Sequence, residues 1–185
     1  GVTSSVLTAN WKYPDINFEI TQTQANNWSY PFGNKYYSGC AAKSAQSIVS
    51  EKDFQFDKIV VGVAHNAGTD GANLKLSVFN DDGNNRPDLN SQLASSALAN
   101  IYSPSSDLVF SFSSPVALEV NKKYWLVLEV ESYIGDNIDY WGRNQWQSAV
   151  SREDLYAGGE HLFYSNSCSY SYESGREDWY MKIGL

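Results

Sequence analysis

The alternation of apolar and polar residues along the chain has mostly a period of two, which predicts β-strands. Segments 74–79, 108–112 and 179–183 alternate in this way, because successive side chains of a strand point to opposite faces. Segment 124–130, YWLVLEV, is instead a continuous apolar run, as is typical of a strand covered on both faces. Segment 16–20 is a weaker candidate strand.

Turn residues separate these segments and complete the predicted architecture. Residues typical of loops cluster at 81–87, 113–115, 121–123 and 157–159. Only residues 93–99 approach a helical period, for one or two turns at most. Several short strands with almost no helix predict an all-β fold, an antiparallel, jelly-roll-like β-sandwich of about eight strands.

The first part of the chain alternates less clearly, but no linker composition separates it from the rest. A length of 185 residues suits one domain with a sizeable core. We therefore expect a single domain over residues 1–185. Within it, residues 1–43 form an N-terminal arm or extra strand on a sandwich module of residues 44–185.

Composition and charge narrow the class of protein and its partners. Aromatic residues make up 15% of the chain and charged residues 18%, whereas disordered and coiled-coil chains are rich in charge and poor in aromatics. The formal net charge of −8 disfavours nucleic acid and anionic membranes as partners. The longest apolar run, residues 59–64, is too short to span a membrane.

The two cysteines, Cys40 and Cys168, are far apart in the sequence and lie in no CxxC pattern. A disulfide between them would tie the N-terminal segment to the C-terminal one, and two buried free thiols are the alternative. With His65 and His161 they do not have the spacing of a zinc site.

A series of short motifs runs from residue 44 to the end of the chain. It comprises Ala45-Gln46-Ser47, then segments 54–59, 74–81, 83–87, 93–96, 110–118, 123–128, 140–142, 156–159 and 179–183. This series resembles a β-sandwich module of extracellular bacterial and archaeal proteins, of the choice-of-anchor or carbohydrate-binding-like type. The resemblance implies a sandwich fold and an extracellular or cell-surface setting. It supplies no catalytic residue.

No catalytic sequence motif stands out. The acidic pairs Glu153-Asp154 and Glu177-Asp178 would each point to opposite faces of a strand, so neither is a ready acid–base couple. We therefore expect a protein that is not an enzyme, with a hydrolase as a minor alternative.

A loop with calcium-like spacing lies at residues 80–88. Asn80, Asp82, Asn84 and Asp88 are spaced like oxygen ligands, but the glycine and final glutamate of an EF-hand loop are missing. A hairpin turn between two strands is the alternative. No cofactor is required, and calcium is kept as an optional ligand.

The tryptophans are the candidate contacts for a sugar, because a pyranose ring stacks on a flat aromatic while its hydroxyls bond to planar polar groups. Trp125 and Trp179 lie in apolar strand patterns and are expected in the core. Trp11 and Trp28 lie in the N-terminal arm. They would pin the arm to the sandwich or stay exposed.

Trp141 and Trp146 belong to the stretch YWGRNQW at residues 140–146. Being five apart, they would face opposite ways on one straight strand. We expect Trp141 to close a strand and Trp146 to lie on a loop, either contacting a ligand or folded over the edge of the core. The candidate ligand-binding residues are Trp146, Trp141, Arg143, Asn144 and Tyr156.

These patterns favour a non-catalytic extracellular module that binds carbohydrate or a cell-surface polymer. The alternative is a structural subunit of an extracellular filament, tubule or adhesin, assembled when the N-terminal arm adds as a strand to a neighbouring molecule.

Overall fold

The computed structural model describes residues 18–22, 27–28, 43–67, 71–102, 105–135, 145–151, 159–164, 170–172 and 178–184. These residues form strands and connections that build two antiparallel sheets packed face to face. The first sheet contains β1 (Phe18–Gln22), β2 (Asn27–Trp28), β4 (Phe54–Ala67), β8 (Ser105–Leu118), β10 (Gln145–Ser151), β13 (Asp178–Trp179) and β14 (Met181–Gly184). The second contains β3 (Ser44–Val49), β5 (Ala72–Asp81), β6 (Pro87–Ser95), β7 (Ala99–Ile101), β9 (Lys123–Tyr133), β11 (His161–Tyr164) and β12 (Tyr170–Tyr172).

The connections pass repeatedly from one sheet to the other. The chain crosses between the sheets from β3 to β4, from β4 to β5, from β7 to β8 and from β8 to β9. Such crossings bring strands that are distant in sequence side by side, so β3 pairs with β9 and β14 pairs with β4. The predicted antiparallel β-sandwich is therefore confirmed, with more strands than the eight or so expected.

The core lies between the sheets and takes the inward residues of the alternating segments. From β5 these are Leu74, Leu76 and Val78, and all three are fully buried. Phe56 and Phe112 meet edge to face in the same core, with ring centroids 5.6 Å apart. This is a preferred arrangement of aromatic rings.

Strand β9 is buried on both faces, as its continuous apolar run predicts. Tyr124, Leu126 and Leu128 belong to the core between the sheets. Trp125 and Val127 point the other way and join a second apolar cluster on the outer face of the second sheet. Trp125 and Trp179 are both fully buried, which confirms the expected core position of each tryptophan.

The strand ends divide the sandwich into two ends of different character. At one end are the polar connections, 50–53 between β3 and β4, 82–86 between β5 and β6, and 119–122 between β8 and β9. At the other end β4 stops at Ala67 and β5 begins at Ala72. We call these the turn end and the aromatic end. A ten-residue strand such as β5 separates them by about 30 Å.

One local prediction is wrong because a bulge in a strand takes the place of a turn. Residues 113–115 do not separate strands but lie within β8, where Phe56 pairs with Val116 and Lys58 with Ser111. Residues 112–115 therefore bulge away from β4, and a bulge tolerates the proline that a regular ladder would not. Residues 93–99 form no helical turn but end β6 and begin β7.

The N-terminal part of the chain supplies the extra strand that the sequence predicts. Strand β1 pairs with β14 of the same chain, with Thr21 opposite Lys182, and β2 pairs with β10. Ile20 of β1 belongs to the core between the sheets. The strand runs over Phe18–Gln22, and residues 16 and 17 of the candidate segment lie outside the described residues.

The central position of β9 predicts a large effect of truncating its inward side chains. We expect Leu126→Ala to lower the free energy of unfolding by about 2–5 kcal/mol, because a fully buried leucine leaves a cavity when truncated. Leu98→Ala is the matched control, since Leu98 is 51% exposed and should change stability by about 0.5 kcal/mol or less. Urea denaturation followed by circular dichroism measures both, and equal effects would contradict the assignment.

Candidate functional site

The expected ligand-binding residues are described by the structure only in part. Trp141, Arg143, Asn144 and Tyr156 lie outside the described residues, and so do Cys40 and Cys168 of the expected disulfide. Trp146 lies within them, but its predicted loop position is wrong.

Strand β10 begins at Gln145, and the backbone of Trp146 pairs with His65 of β4. The long strand β4 continues to Ala67. Its backbone therefore offers pairing partners to Gln145 and Trp146, although the polar residues around them predict a loop. The register shifts between Gln145 and Trp146. The polar stretch thus enters the sheet through an irregular first pair.

The loop expected to hold calcium forms the β5–β6 turn. One carboxylate oxygen of Asp82 accepts hydrogen bonds from the backbone amides of Asn84 and Arg86, at 2.7 and 3.2 Å. Gly83 and Asn85 have φ angles of 84° and 59°, a conformation that glycine and asparagine tolerate best. The carboxylate therefore already stabilises a turn, which is the alternative role expected from the sequence.

The other two residues of that loop also have bonds within the protein. Asn80 donates to Ser91 at 2.6 Å, and Asp88 accepts from the backbone amide of Asn90 at 3.0 Å. Within the described part of the chain no three His, Cys, Asp or Glu side chains form a group that could hold a metal ion. Calcium stays a prediction, and this loop lies at the turn end, far from Trp146.

Exposed polar and aromatic residues line the second sheet at the aromatic end. Asn73 of β5 pairs with Asn100 of β7 on one side and with Ser132 of β9 on the other. Its side-chain amide donates to Ser132 Oγ at 2.8 Å. Tyr102, just beyond β7, is 69% exposed. We call these four residues the Tyr102 surface.

Asparagine and tyrosine at these positions were not among the expected site residues. The expected aromatic contacts are Trp146, Trp141 and Tyr156, and Tyr102 is another of the 13 tyrosines of the chain. The usable signal is the polar–apolar–polar sequence Asn100-Ile101-Tyr102, because a buried Ile101 directs its strand neighbour Asn100 outward.

An uncharged groove of about 480 Å³ lies between the edges of β6 and β8. Its walls are Leu93, Ala94 and Ser95 from β6, and residues 112–117 from the bulged part of β8. Ser96 and Phe112 form a bridge between the two sheets beside it, and Ala97 donates to the carbonyl of Ser111 at 2.8 Å. The groove thus lies where the edge strands of the two sheets, β6 and β8, separate from each other.

A buried polar network fastens the last strands to the second sheet. Gln46 of β3 accepts a hydrogen bond from the backbone amide of Trp179 at 3.0 Å and donates to Asp178 Oδ1 at 3.2 Å. Gln22 donates to the carbonyl of Asp178 at 3.4 Å. All four residues are at most 4% exposed. The network therefore joins β1, β3 and β13 inside the sandwich.

A serine and a histidine in this region have the spacing of a nucleophile and its base. Ser44 Oγ lies 2.9 Å from His161 Nε2, and the indole N–H of Trp179 donates to Ser44 Oγ at 3.2 Å. Nucleophilic catalysis needs such a pair within reach of a substrate. Ser44 and His161 are 0% and 1% exposed. Both side chains are therefore closed off from solvent in this structure.

Three ionisable side chains with shifted pKa values lie on the outer face of the first sheet. Burial lowers the pKa of Lys182, and the negative charge of Asp107 partly opposes this shift. Partial desolvation raises the pKa of Asp107, against the effect of Lys182. Burial also raises the pKa of Tyr180, with Asp107 adding to the shift. In the register Asp107 lies opposite Gly62 and Lys182 opposite Val60, so these groups flank β4.

Comparison of the chain with models of known protein families gives no match, and comparison with curated proteins gives none either. The resemblance to choice-of-anchor modules therefore stays a prediction. No helix among the described residues is long and apolar enough to cross a membrane.

The Gln46 network predicts a specific loss of stability. We expect Gln46→Met to lower the free energy of unfolding by about 1–3 kcal/mol, because the buried backbone amide of Trp179 loses its acceptor, Gln46 Oε1. The hydrogen bond from Gln46 to Asp178 Oδ1 is lost as well. Gln55→Met is the control, because Gln55 is exposed on β4. Thermal or urea unfolding of both variants measures the difference, and a Gln46 variant as stable as the control would show the network to be energetically neutral.

Proposed function

We propose that the protein is a non-catalytic extracellular module that binds carbohydrate or another cell-surface polymer. The proposed ligand contacts are Trp146, Trp141, Arg143, Asn144 and Tyr156. The proposal combines the aromatic and amide content of residues 140–146 with the extracellular setting that the family resemblance implies.

The observation that supports it best is that Trp146, the candidate contact within the described residues, lies toward the aromatic end, as the Tyr102 surface does. Strand β10 starts there, with Gln145 opposite Ala67, the last residue of β4. Tyr102 and Asn73 of the Tyr102 surface belong to the same end. Carbohydrate sites need aromatic faces together with amide donors and acceptors, and both kinds of group lie at this end.

The fold itself supports a binding role without deciding the ligand. Loops and strand ends on a rigid sandwich are where binding residues usually lie, because the scaffold fixes their positions. The net charge of −8 favours a neutral or cationic ligand over an anionic one. Calcium at the β5–β6 turn would act about 30 Å away, as a stabiliser of the turn end.

Removal of one tryptophan tests this proposal. We expect neutral polysaccharides to change the tryptophan fluorescence of the protein, and Trp146→Ala to weaken binding about tenfold, which corresponds to roughly 1.4 kcal/mol. Val120→Ala is the control, because Val120 is 43% exposed but lies at the turn end. A panel of plant, fungal and bacterial polysaccharides that leaves the fluorescence unchanged would overturn the proposal.

A second candidate function is assembly by strand exchange, and the pairing of β1 with β14 favours it over other modes of assembly. That edge pair contributes Ile20 to the core and lies at the edge of the first sheet. The same contacts would form if β1 came from a neighbouring molecule.

A cross-link between the paired residues Thr21 and Lys182 distinguishes pairing of β1 within its own chain from pairing of β1 with a neighbouring molecule. Paired strand residues lie at a Cα separation of about 4.5–5.5 Å, within the range of a disulfide. If assembly occurs by exchange, the T21C/K182C variant forms covalent multimers on a non-reducing denaturing gel. The T21C single variant is the control. A cross-linked monomer at every protein concentration would exclude exchange through β1.

A further inference from the structure

The Tyr102 ring lies close to the backbone of Gly71, while most of the residue's surface faces solvent. Gly71 lies beside it, at the start of β5. A Cβ atom at Gly71 would come within 2.8 Å of Tyr102 Cδ1 and 2.5 Å of the carbonyl oxygen of Ile101. Only glycine permits so close an approach. The ring therefore packs against the backbone beside β5. Tyr102 as a whole is nevertheless 69% exposed.

Exposure of one aromatic residue is common on protein surfaces and means little alone. The informative feature is that uncharged polar side chains lie beside Tyr102. Asn100 is an outward residue of β7, and Tyr102 follows directly after the strand ends at Ile101. Asn73 lies opposite Asn100, and Ser132 lies opposite Asn73. The four residues form one surface across β7, β5 and β9.

The outward orientation of this surface follows from the buried residues between its members. Ala72, Leu74 and Ile101 alternate with Asn73, Asn100 and Tyr102, and all three belong to the core between the sheets. Asn100 and Ser132 are exposed, and Asn73 is half-buried. The hydrogen bond from Asn73 to Ser132 holds the amide in position, which lowers the entropy cost of binding a ligand.

The charge of the surroundings limits the class of ligand. Tyr102, Asn100, Asn73 and Ser132 carry no charge at neutral pH. Lys75, the next outward residue of β5, forms an ion pair with Glu131 at 3.5 Å. An ionic ligand would find no unpaired opposite charge among these groups. A neutral ligand with an apolar face and a rim of hydroxyls matches an exposed ring with amides and a hydroxyl beside it.

We propose that the Tyr102 surface binds a neutral saccharide. The apolar face of one sugar ring stacks on Tyr102, and its hydroxyls bond to the amides of Asn73 and Asn100 and to the hydroxyl of Ser132. This inference rests on the proposed carbohydrate-binding function and adds a site on the outer face of the second sheet.

The test uses the full chain and defined neutral oligosaccharides. Cellotriose, maltotriose and mannotriose are each titrated into isotopically labelled protein, and the side-chain amide signals of Asn73 and Asn100 are followed by NMR. We expect at least one trisaccharide to shift both signals. Sorbitol, which has hydroxyls but no ring, should leave them unchanged at the same concentration.

Substitutions at Tyr102 separate stacking from other effects. Tyr102→Ala should weaken binding about tenfold or more, whereas Tyr102→Phe keeps the ring and should bind within about threefold of the unchanged protein. Leu98→Ala, at another exposed apolar residue near the start of β7, is the matched control. Because Tyr102 is exposed, its substitution should leave the far-ultraviolet circular dichroism spectrum and the unfolding midpoint nearly unchanged.

The outcomes distinguish this inference from the proposed function. If a polysaccharide or trisaccharide binds but shifts neither amide, and Tyr102→Ala binds as well as the unchanged protein, the Tyr102 surface is not the site while carbohydrate binding stands. If no neutral glycan of either kind binds, both proposals fail. Shifts at both amides that Tyr102→Ala abolishes and Tyr102→Phe retains support the inference.

Discussion

Burial of both faces of β9 is the constraint on which the rest of the sandwich depends. This strand pairs with β3 on one side and β5 on the other. Its residues Leu126 and Leu128 cover the core between the sheets, while Trp125 and Val127 fill the outer cluster. A shift of register by one residue would exchange these two sets. The indole N–H of Trp125 also donates a hydrogen bond to Asp81 Oδ2 at 2.7 Å. A shift of register would break this bond.

The fixed register of β9 determines which residues meet at each end of the molecule. At the turn end it places Lys123 beside Glu160, 3.1 Å away, and beside Asn85 of the β5–β6 turn at 2.7 Å. At the aromatic end it places Ser132 beside Asn73. The expected calcium loop and Trp146 of the expected ligand segment therefore belong to opposite ends.

How far the sequence predicts this structure depends on the range of each interaction. The apolar run of β9 and the turn at residues 82–86 follow from local pattern, since burial and φ preferences act residue by residue. The bulge at 112–115 could not be distinguished from a turn, because the same residue types serve both. Gln46 meets Trp179 across 133 positions of sequence, and no local pattern reports such a pair. The exposed position of Tyr102 likewise depends on Gly71 and on the alternation around Ile101.

Of the two candidate functions, assembly by strand addition depends on the sheet edges, because an added strand needs an edge with a regular ladder. An edge strand invites pairing with another chain unless something interrupts its ladder. On the groove side, β8 bulges at 112–115 around Pro115, and β6 bulges at 88–91 after Pro87. Both devices discourage a regular added strand. Regular pairing between molecules is therefore disfavoured at these two edges, and assembly through β1 is proposed for the edge where β1 pairs with β14. Ligand binding at the aromatic end needs no open edge, so it is compatible with every strand remaining paired within its own chain.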